Sequence, residues 1–294
     1  MLDLNCVQTF LAVVECGGFR QAGLQIGISQ SAVTQHLKRL EQTLQVSLIE
    51  RKNRRCCLTP EGTVFMPYAK KLTEMSEHAC NVFKKVNLSV GASSNVGIYS
   101  LQPYLKRFQQ LSTSQLNVVI SNNLDIAEKL TNLELDIAVM EWWDDRPGFV
   151  SRIWRTEELV LIVANDHPWA TLKTVPKEYL YDVELLGGEP ATGTGRVIEE
   201  YFAEEAKRIG ISIRLGSTEA VKRAVQAGVG ISLVLASTVE QESVAGLLTV
   251  LPLRSEHPPV KQIVAVQRAP YLNAPSQVNT FMDMLFDTSG TKHN

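Results

Sequence analysis

One stretch of the chain, residues 29–55, combines side chains that can read base edges with side chains that neutralise phosphates. Its sequence is SQSAVTQHLKRLEQTLQVSLIERKNRR, in which six lysines and arginines face two glutamates, a net charge of +4. Amides and hydroxyls can donate to and accept from base edges, while lysine and arginine contact the backbone. The candidate DNA-binding residues are Gln30, Ser31, Thr34, Gln35, Lys38, Arg51, Arg54 and Arg55.

The spacing within this stretch predicts a helix that begins after Ser29, a favourable N-cap residue. Apolar residues recur at helical steps and form one narrow stripe, opposite the polar face: Val33, Leu37, Leu40 and Leu44. The following residues, VSLIERKNRRCCLTP, are typical of a β-hairpin wing with a basic tip on the DNA backbone. The alternative is an ordinary amphipathic surface helix.

Two shorter helical patterns precede this stretch. Residues 4–14 are amphipathic and end before Gly17, and residues 19–26 end before a turn at Gly27. The order of helix, short helix, turn, recognition helix and hairpin predicts a winged helix-turn-helix domain over residues 1–59.

This region resembles the winged helix-turn-helix of the LysR-type transcriptional regulators. The shared features are the Ser-Gln-Ser-Ala-Val-Thr start, the LKRLE core and the wing from L-x-E-R to L-T-P-E-G, all in register. The chain departs at Gly18, where the family has a Ser cap, at Gly23, the second position of an Ala pair, and at Ile49, where Phe is usual. These departures are expected to weaken capping or packing slightly.

Residues 60–88 are predicted to form a dimerising linker helix that starts at Thr59-Pro60. Its apolar residues follow a strict seven-residue repeat, which is typical of a coiled-coil seam. The seam residues are Phe65, Tyr68, Leu72, Met75, Ala79, Val82 and Val86. Pro67 should kink or loosen the first turns. The resemblance also implies a dimerising helix here, whereas the alternative is packing on the chain's own body.

Residues 89–294 alternate short apolar runs with helical patterns, which predicts α/β structure with parallel, doubly wound sheets. The resemblance implies a two-lobed effector-binding domain, similar to a periplasmic binding protein, with the ligand in the cleft. On that pattern lobe I comprises residues 90–163 and 267–294, and lobe II lies between them, with crossings near Ala164 and Val266.

Three polar segments match the cleft motifs of the family: residues 91–95, 121–123 and 189–196. Hydroxyls and free amides at a helix start can hold a carboxylate, sulfate or phosphate. The candidate effector-binding residues are Ser93, Ser94, Asn95, Asn122 and Thr194. In the third segment Gly195 displaces Arg196 by one position from the family's E-P-G-S-G-T-R. Each segment taken alone could also be a plain cap or turn.

Charge is unevenly distributed along the 294 residues. Residues 1–88 carry 11 basic and 7 acidic side chains, a net +4, so the overall net charge of −2 leaves −6 for the remainder. A basic head on an acidic body fits a DNA-binding module joined to a ligand-binding domain. No apolar run is long enough to span a membrane, and the start, MLDLNCVQTF, lacks a basic n-region, so a cytoplasmic protein is expected.

The cysteines and catalytic motifs indicate neither a disulfide framework nor an enzyme. All five cysteines lie in the first 80 residues without a C-x-x-C pair, and the adjacent Cys56 and Cys57 are either ordinary strand residues or a redox switch. G-x-S-x-G, H-E-x-x-H and P-loop motifs are absent from the sequence. The alternative function is a small-molecule carrier or enzyme with a degenerate head.

Together, these features and the resemblance imply a non-enzymatic transcriptional regulator without cofactor or metal. It is expected to bind double-stranded promoter DNA as a homodimer or dimer of dimers, and to respond to a small-molecule effector, most simply an anion.

Overall fold

The computed structural model describes residues 1–52, 55–82, 87–181, 183–187, 193–255, 257–269 and 276–287. The chain divides into two compact units, residues 1–85 and 86–294, which are described separately. None of the helices in the described ranges has the length and apolar composition needed to cross a membrane.

The first unit is a helical head with a two-stranded antiparallel hairpin. Its elements are α1 (Leu4–Cys16), α2 (Phe19–Ile26), α3 (Gln30–Leu44), β1 (Ile49–Lys52), β2 (Arg55–Leu58) and α4 (Pro60–Val82). The Ser29 hydroxyl accepts a hydrogen bond from the Ala32 amide at 3.2 Å, as expected of the N-cap of α3. Gly17 and Gly27 end α1 and α2 with φ of 66° and 72°, values that glycine adopts without strain.

The apolar stripe of α3 faces the core of the head. Val33, Leu37 and Leu40 are almost fully buried, and the core also includes Phe10 of α1. Gly18 makes no side-chain capping bond at the start of α2, in line with the expected loss of a cap. At Gly23 an added Cβ would lie 2.7 Å from the Ile28 carbonyl oxygen, so the backbone at Ile28 leaves too little space for a side chain at position 23.

The linker helix α4 presents two different faces. Phe65 packs in the head's own core, with its ring centroid 5.5 Å from that of Phe10, and therefore does not act only as a seam residue as the heptad predicts. Tyr68 and Leu72 are exposed on the seam side, Met75 is half-buried and Ala79 is exposed. The helix runs through Pro67 without a break. The Val82 side chain and Val86 lie outside the described residues.

The second unit contains ten strands and six α-helices in its described ranges. The strands are β3 (Asn87–Ser93), β4 (Gln115–Ser121), β5 (Ile137–Met140), β6 (Phe149–Val163), β7 (Val175–Pro176), β8 (Glu184–Leu186), β9 (Gly210–Ile213), β10 (Ser232–Leu235), β11 (Thr249–Arg254) and β12 (Val260–Arg268). The helices are α5 (Gln102–Leu111), α6 (Asn123–Thr131), α7 (Gly193–Phe202), α8 (Thr218–Gln226), α9 (Glu240–Val244) and α10 (Ser276–Phe286), and a π-helical turn (Val96–Ser100) precedes α5. Asn87 and Leu88, which the sequence places in the linker, begin the first strand of this unit.

The strands form a mixed sheet that joins two lobes. Its order is β4-β3-β5-β12-β6-β11-β7, with β10 also pairing with β6, and β8 and β9 form a separate parallel pair. The first lobe contains the parallel strands β3, β4 and β5. The strands β6 and β12 pair antiparallel and are long enough to contribute to both lobes. The sequence predicts parallel sheets only, so this antiparallel pair is a departure from the prediction.

The two crossings between lobes lie earlier in the chain than the sequence predicts. Residues 149–158 of β6 pair with β12, whereas residues 159–163 pair with β10 and β11. On the return, residues 264–267 of β12 already pair with β5 of the first lobe. The crossings are therefore near 158 and 260 rather than Ala164 and Val266, because one continuous strand changes its pairing partner without any change in its apolar pattern.

Candidate DNA interface and effector cleft

The predicted DNA-reading side chains of α3 share one exposed face of the head. They are Gln30, Ser31, Thr34, Gln35 and Lys38. The Thr34 hydroxyl donates to the Gln30 carbonyl at 2.9 Å, which leaves it as an acceptor only. Gln35 and Lys38 have no hydrogen-bond or ionic partner among the described residues, so their polar groups are available to a ligand.

Both strands of the wing carry basic residues. Arg51 and Arg55 lie on β1 and β2, in a register that pairs Lys52 with Arg55. Arg54 lies outside the described residues. The hairpin is the next element after α3, so the predicted base-reading helix and the predicted phosphate-binding wing belong to the same compact unit.

Glu41 connects the recognition helix to the wing, a role that the sequence motif did not reveal. Its Oε1 atom accepts hydrogen bonds from the backbone amides of Leu48 and Ile49 at 2.7 and 3.3 Å. On the other side, the Thr59 hydroxyl donates to the Ser47 carbonyl at 2.6 Å. These contacts fix where β1 begins relative to α3.

His36 of α3 has a structural partner. Its Nδ1 atom lies 2.8 Å from the Thr9 hydroxyl oxygen, and that hydroxyl donates its only proton to the Asn5 carbonyl at 2.7 Å. This contact ties α3 to α1, so His36 orients the recognition helix from within the head.

The candidate effector residues after β3 have three different environments. Ser93 is 1% exposed and its hydroxyl oxygen has no partner among the described residues. The Ser94 hydroxyl donates to the Ser121 carbonyl at 3.0 Å. The Asn95 side-chain oxygen accepts from the Thr218 hydroxyl at 2.7 Å and so connects the two lobes. The three residues are consecutive, and among them Ser93 is the one with a buried hydroxyl that has no hydrogen-bond partner in the described part of the chain.

The second candidate segment is mainly structural. The Asn122 side chain accepts from the Asp125 amide at 2.9 Å as the N-cap of α6, which is the plain capping role. Asn123 instead bonds the segment after β5: its side-chain oxygen accepts from the Glu141 and Trp142 amides at 2.9 and 3.3 Å, and its Nδ2 donates to the Trp142 carbonyl at 3.0 Å.

The third candidate segment brings α7 to the first lobe. Thr194 is half-buried in the first turn of α7, whereas residues 188–192 lie outside the described residues. Two positions later, the Arg196 guanidinium carbon lies 3.9 Å from the centroid of the Trp142 ring. The displaced arginine of the motif therefore reaches across the lobe boundary, and its partner is a tryptophan that the sequence patterns did not indicate.

A second contact between the lobes involves Tyr99, which precedes α5. Its hydroxyl donates to a Glu219 carboxylate oxygen at 3.2 Å, and the Lys222 ammonium lies 4.7 Å from its ring centroid. Burial raises the pKa of the Tyr99 hydroxyl, while Lys222 opposes this rise. Tyr99 is therefore a neutral donor at neutral pH.

Buried charges lie on the crossing strands between the lobes. Lys261 of β12 bonds to Glu141, and both side chains are at least nine-tenths buried. Opposite Lys261 in the β6 register, Glu157 accepts from Ser100 at 3.5 Å and also from Ser237, one residue from each lobe. Burial lowers the pKa of Lys261, whereas Glu141 raises it. The sequence analysis did not indicate this cluster, and the signal that could have done so is the charged Lys261 among the apolar residues of β12.

The described residues contain no group of histidine, cysteine and carboxylate side chains arranged to hold a metal ion. Cys56 is half-buried and Cys57 is exposed on β2, and neither forms a disulfide bond within the described part of the chain.

Comparisons with known proteins cover almost the entire chain. Residues 4–63 match the bacterial regulatory helix-turn-helix protein family, lysR type, and residues 85–289 match the LysR substrate binding domain. The HTH-type regulator protein PtxE of Stutzerimonas stutzeri is 37% identical over 196 residues, which cover 66% of this chain and 100% of PtxE. The HTH-type transcriptional regulator CysL of Bacillus subtilis is 25% identical over 291 residues, covering 97% and 95% of the two chains.

The fold is also that of solved LysR-type structures. Full-length CbnR complexed with its target DNA superposes with a TM-score of 0.55 at 21% identity, covering 96% of this chain and 98% of CbnR. The similarity therefore extends from the head through both lobes of the second unit. With a helix-turn-helix head and a LysR substrate binding domain over most of its length, the chain belongs to the LysR family of transcriptional regulators.

Proposed function

We propose that this chain binds double-stranded promoter DNA through α3 and its wing as a homodimer that assembles into a dimer of dimers. The proposal assigns DNA binding to residues 1–59, dimerisation to the linker helix α4 and effector binding to the second unit, from β3 onwards. The observation that carries it is the exposed face of α3, where Gln35 and Lys38 are free of partners among the described residues. CbnR, which has the same fold, has been solved with its target DNA.

The assigned roles follow from the chemistry of each side chain. Gln35 has both a donor and an acceptor, the pair that an adenine edge requires, while Lys38 and the basic wing suit phosphates. A single head contacts only a half-site, so tight binding requires a second subunit and a pseudo-palindromic site. The protein would act in the cytoplasm, where this DNA is accessible.

The effector part of the proposal concerns a small anion in the cleft between the lobes. Ser93, Ser94 and Asn95 lie at the end of β3, beside the start of a helical segment, and Asn95 bonds to Thr218 of the other lobe. A ligand that changes this contact would change the angle between the lobes, a hinge motion that can be coupled to DNA contacts. The acidic body, with a net charge of −6, favours a small carboxylate or inorganic anion over a nucleotide.

Replacing Gln35 tests the DNA-reading face. Gln35→Ala should lose discrimination at one or two base pairs, at a cost of about 1–3 kcal/mol for the specific site. Gel shifts on the upstream DNA of the chain's own gene, with single-base variants of the site, would measure this loss. Gln110→Ala, the same change on the exposed surface of α5, is the control and should bind like the wild type.

Two outcomes would contradict the proposal at different levels. A Gln35→Ala protein with unchanged sequence preference would show that another face reads the bases. A wild-type protein that shifts no upstream DNA specifically would favour a small-molecule carrier with a degenerate head.

A further inference from the structure

Arg196 is held at the boundary between the lobes by a tryptophan. Its guanidinium carbon lies 3.9 Å from the centroid of the Trp142 ring, so it is placed over the aromatic face. Arg196 is nevertheless exposed, and no carboxylate in the described ranges forms an ion pair with it. The stack therefore fixes a charged group without neutralising it.

Trp142 is a rigid platform because its backbone is held at both polar groups. Its amide donates to the Asn123 side chain and its carbonyl accepts from the same side chain, at 3.3 and 3.0 Å. The preceding residue, Glu141, donates its amide to Asn123 and bonds through its carboxylate to buried Lys261. The backbone at Glu141 and Trp142 is therefore bonded to Asn123, and this fixes the position from which the indole projects.

The helix that carries Arg196 is fixed in the second lobe by its buried neighbours. Its neighbours on α7, Val197 and Ile198, belong to the main core, together with Phe202. The same helix places Glu200 near the crossing strands. Burial lowers the pKa of Lys261, and the charge of Glu200, like those of Glu141 and Glu157, opposes this fall. The exposed side of α7 therefore lies towards the junction of the lobes.

The chemistry of a stacked guanidinium defines what it can bind. Stacking uses the face of the group and leaves the in-plane N–H bonds directed outwards, in the fork that matches two oxygens of one oxyanion. A side chain that is already held in one rotamer loses less entropy on binding. Lys261, the buried cation on the crossing strand β12, is already paired with Glu141, so Arg196 is the better candidate for an added negative charge.

We propose that Arg196, held on Trp142, is the anion-binding residue of the cleft and takes one carboxylate or other small oxyanion through paired N–H···O bonds. This inference rests on the proposed effector function and adds the residue that binds the anion and the way in which it does so. The anion lies beside the indole, so binding changes the environment of Trp142.

Calorimetric titration of the full-length protein tests the proposal. Acetate, succinate, sulfate and phosphate are each titrated at constant ionic strength against chloride, and at least one should bind saturably. Arg196→Gln should weaken that binding by about tenfold or more, since a charged hydrogen bond is lost. Arg196→Lys should also weaken it, because an ammonium retains the charge but not the fork. The set of anions that bind distinguishes carboxylates from inorganic oxyanions.

Arg152→Gln is the matched control. Arg152 is also an exposed arginine, stacked on an aromatic ring, with its guanidinium carbon 3.7 Å from the centroid of Phe286. This variant should keep the wild-type affinity for the anion. Trp142→Phe should retain a flat ring and most of the affinity but lose most of the fluorescence change on binding, which connects the binding event to the stack.

Two results would overturn the inference. If Arg196→Gln binds the anion as well as the wild type, the site is elsewhere in the cleft, and loss of binding in Ser94→Ala would place it at the end of β3. If the wild type binds none of the four anions, oxyanion chemistry is wrong for this cleft. In either case, specific gel shifts by the wild type and by Arg196→Gln would show that both proteins are folded and that the proposed DNA binding is correct.

Discussion

Gln45 ends the recognition helix in a conformation that glycine adopts at lower cost. Its φ is 57°, in the left-handed region, and its amide donates to the Glu41 carbonyl. For residues with a Cβ this region costs about 1–2 kcal/mol, whereas glycine enters it freely. The residue that ends α3 is therefore under local strain.

Gln45→Gly should raise the free energy of unfolding of the head by about 1 kcal/mol. Far-ultraviolet circular dichroism during denaturation of the full-length chain would measure this change. All four tryptophans lie in the second unit, so tryptophan fluorescence reports the unfolding of that unit alone. A transition seen by circular dichroism but not by fluorescence therefore belongs to the head.

Gln42→Gly supplies the control of opposite sign. It makes the same change inside α3, at an exposed position, where glycine costs about 1 kcal/mol of stability. If both variants were destabilised equally, the left-handed conformation of Gln45 would not be the source of strain.

Lys261 and Glu141 form a buried pair in which neither charge is tolerated alone. Lys261→Met should lower the free energy of unfolding of the second unit by about 3–5 kcal/mol, because Glu141 is left buried without its partner. The double variant Lys261→Met/Glu141→Leu should recover much of this loss. Tryptophan fluorescence during urea unfolding measures both variants, and a double variant as unstable as the single one would contradict the explanation.

The same lysine makes stability depend on alkaline pH. Burial lowers the pKa of Lys261 below its ordinary value of 10.5. As pH rises through the interval between the folded and unfolded pKa values, the unfolded chain holds a proton that the folded chain has lost, so the free energy of unfolding rises. We expect this rise in the wild type and its absence in Lys261→Met, measured by urea unfolding at successive pH values.

At the scale of elements, the sequence could predict those features that depend only on residues a few positions apart in the chain. Ser29 caps α3, and Gly17 and Gly27 end the two helices before it, because each acts within a few residues of the chain. Phe65 shows the limit of the heptad pattern. An apolar side chain at a seam step can equally pack on the head, and Phe10, its partner, lies on a distant helix.

The candidate site was less predictable for a related reason. The contact of Arg196 with Trp142 joins α7 to the loop after β5, and Lys261 meets Glu141 through pairing of β12 with β5. Such contacts depend on the pairing of distant strands, which apolar periodicity does not encode. The motifs indicated Ser93 to Asn95 because those residues are consecutive.

The exposed side of α4 supports the dimerisation proposal and can be tested directly. Leu72→Asp should break the dimer, because it places a charge in an apolar seam, and Val82→Asp should do the same by the heptad pattern. Loss of tight DNA binding should follow, since a single head contacts one half-site. Sedimentation velocity measures the assembly.

Lys70→Asp introduces the same residue on α4 at an exposed position outside the heptad seam. It should leave the dimer intact. A doubly substituted Leu72→Asp/Val82→Asp chain that still sediments as a dimer would show that another surface holds the subunits together.

At the scale of the whole molecule, the proposed effector must change DNA contacts through the lobes. An oxyanion that binds the cleft should alter the footprint of the wild type and alter that of Ser94→Ala less, at equal DNA saturation. Ser94 bonds to the Ser121 carbonyl and directly precedes Asn95, whose bond with Thr218 is one of the contacts that join the lobes. Ser243→Ala on α9, also exposed, is the control. Equal changes in all three footprints would move the site away from this turn.

The strands that cross between the lobes also determine the order in which a newly made chain can fold. Lobe II is continuous from about residue 159 to residue 260, whereas β5 of lobe I awaits β12, which begins about 120 residues after β5 ends. At a synthesis rate of about 5–20 residues per second, this delay on the ribosome is on the order of ten seconds. The head and linker helix emerge first, so a nascent chain can present Tyr68 and Leu72 to another copy before its own first lobe has closed its sheet.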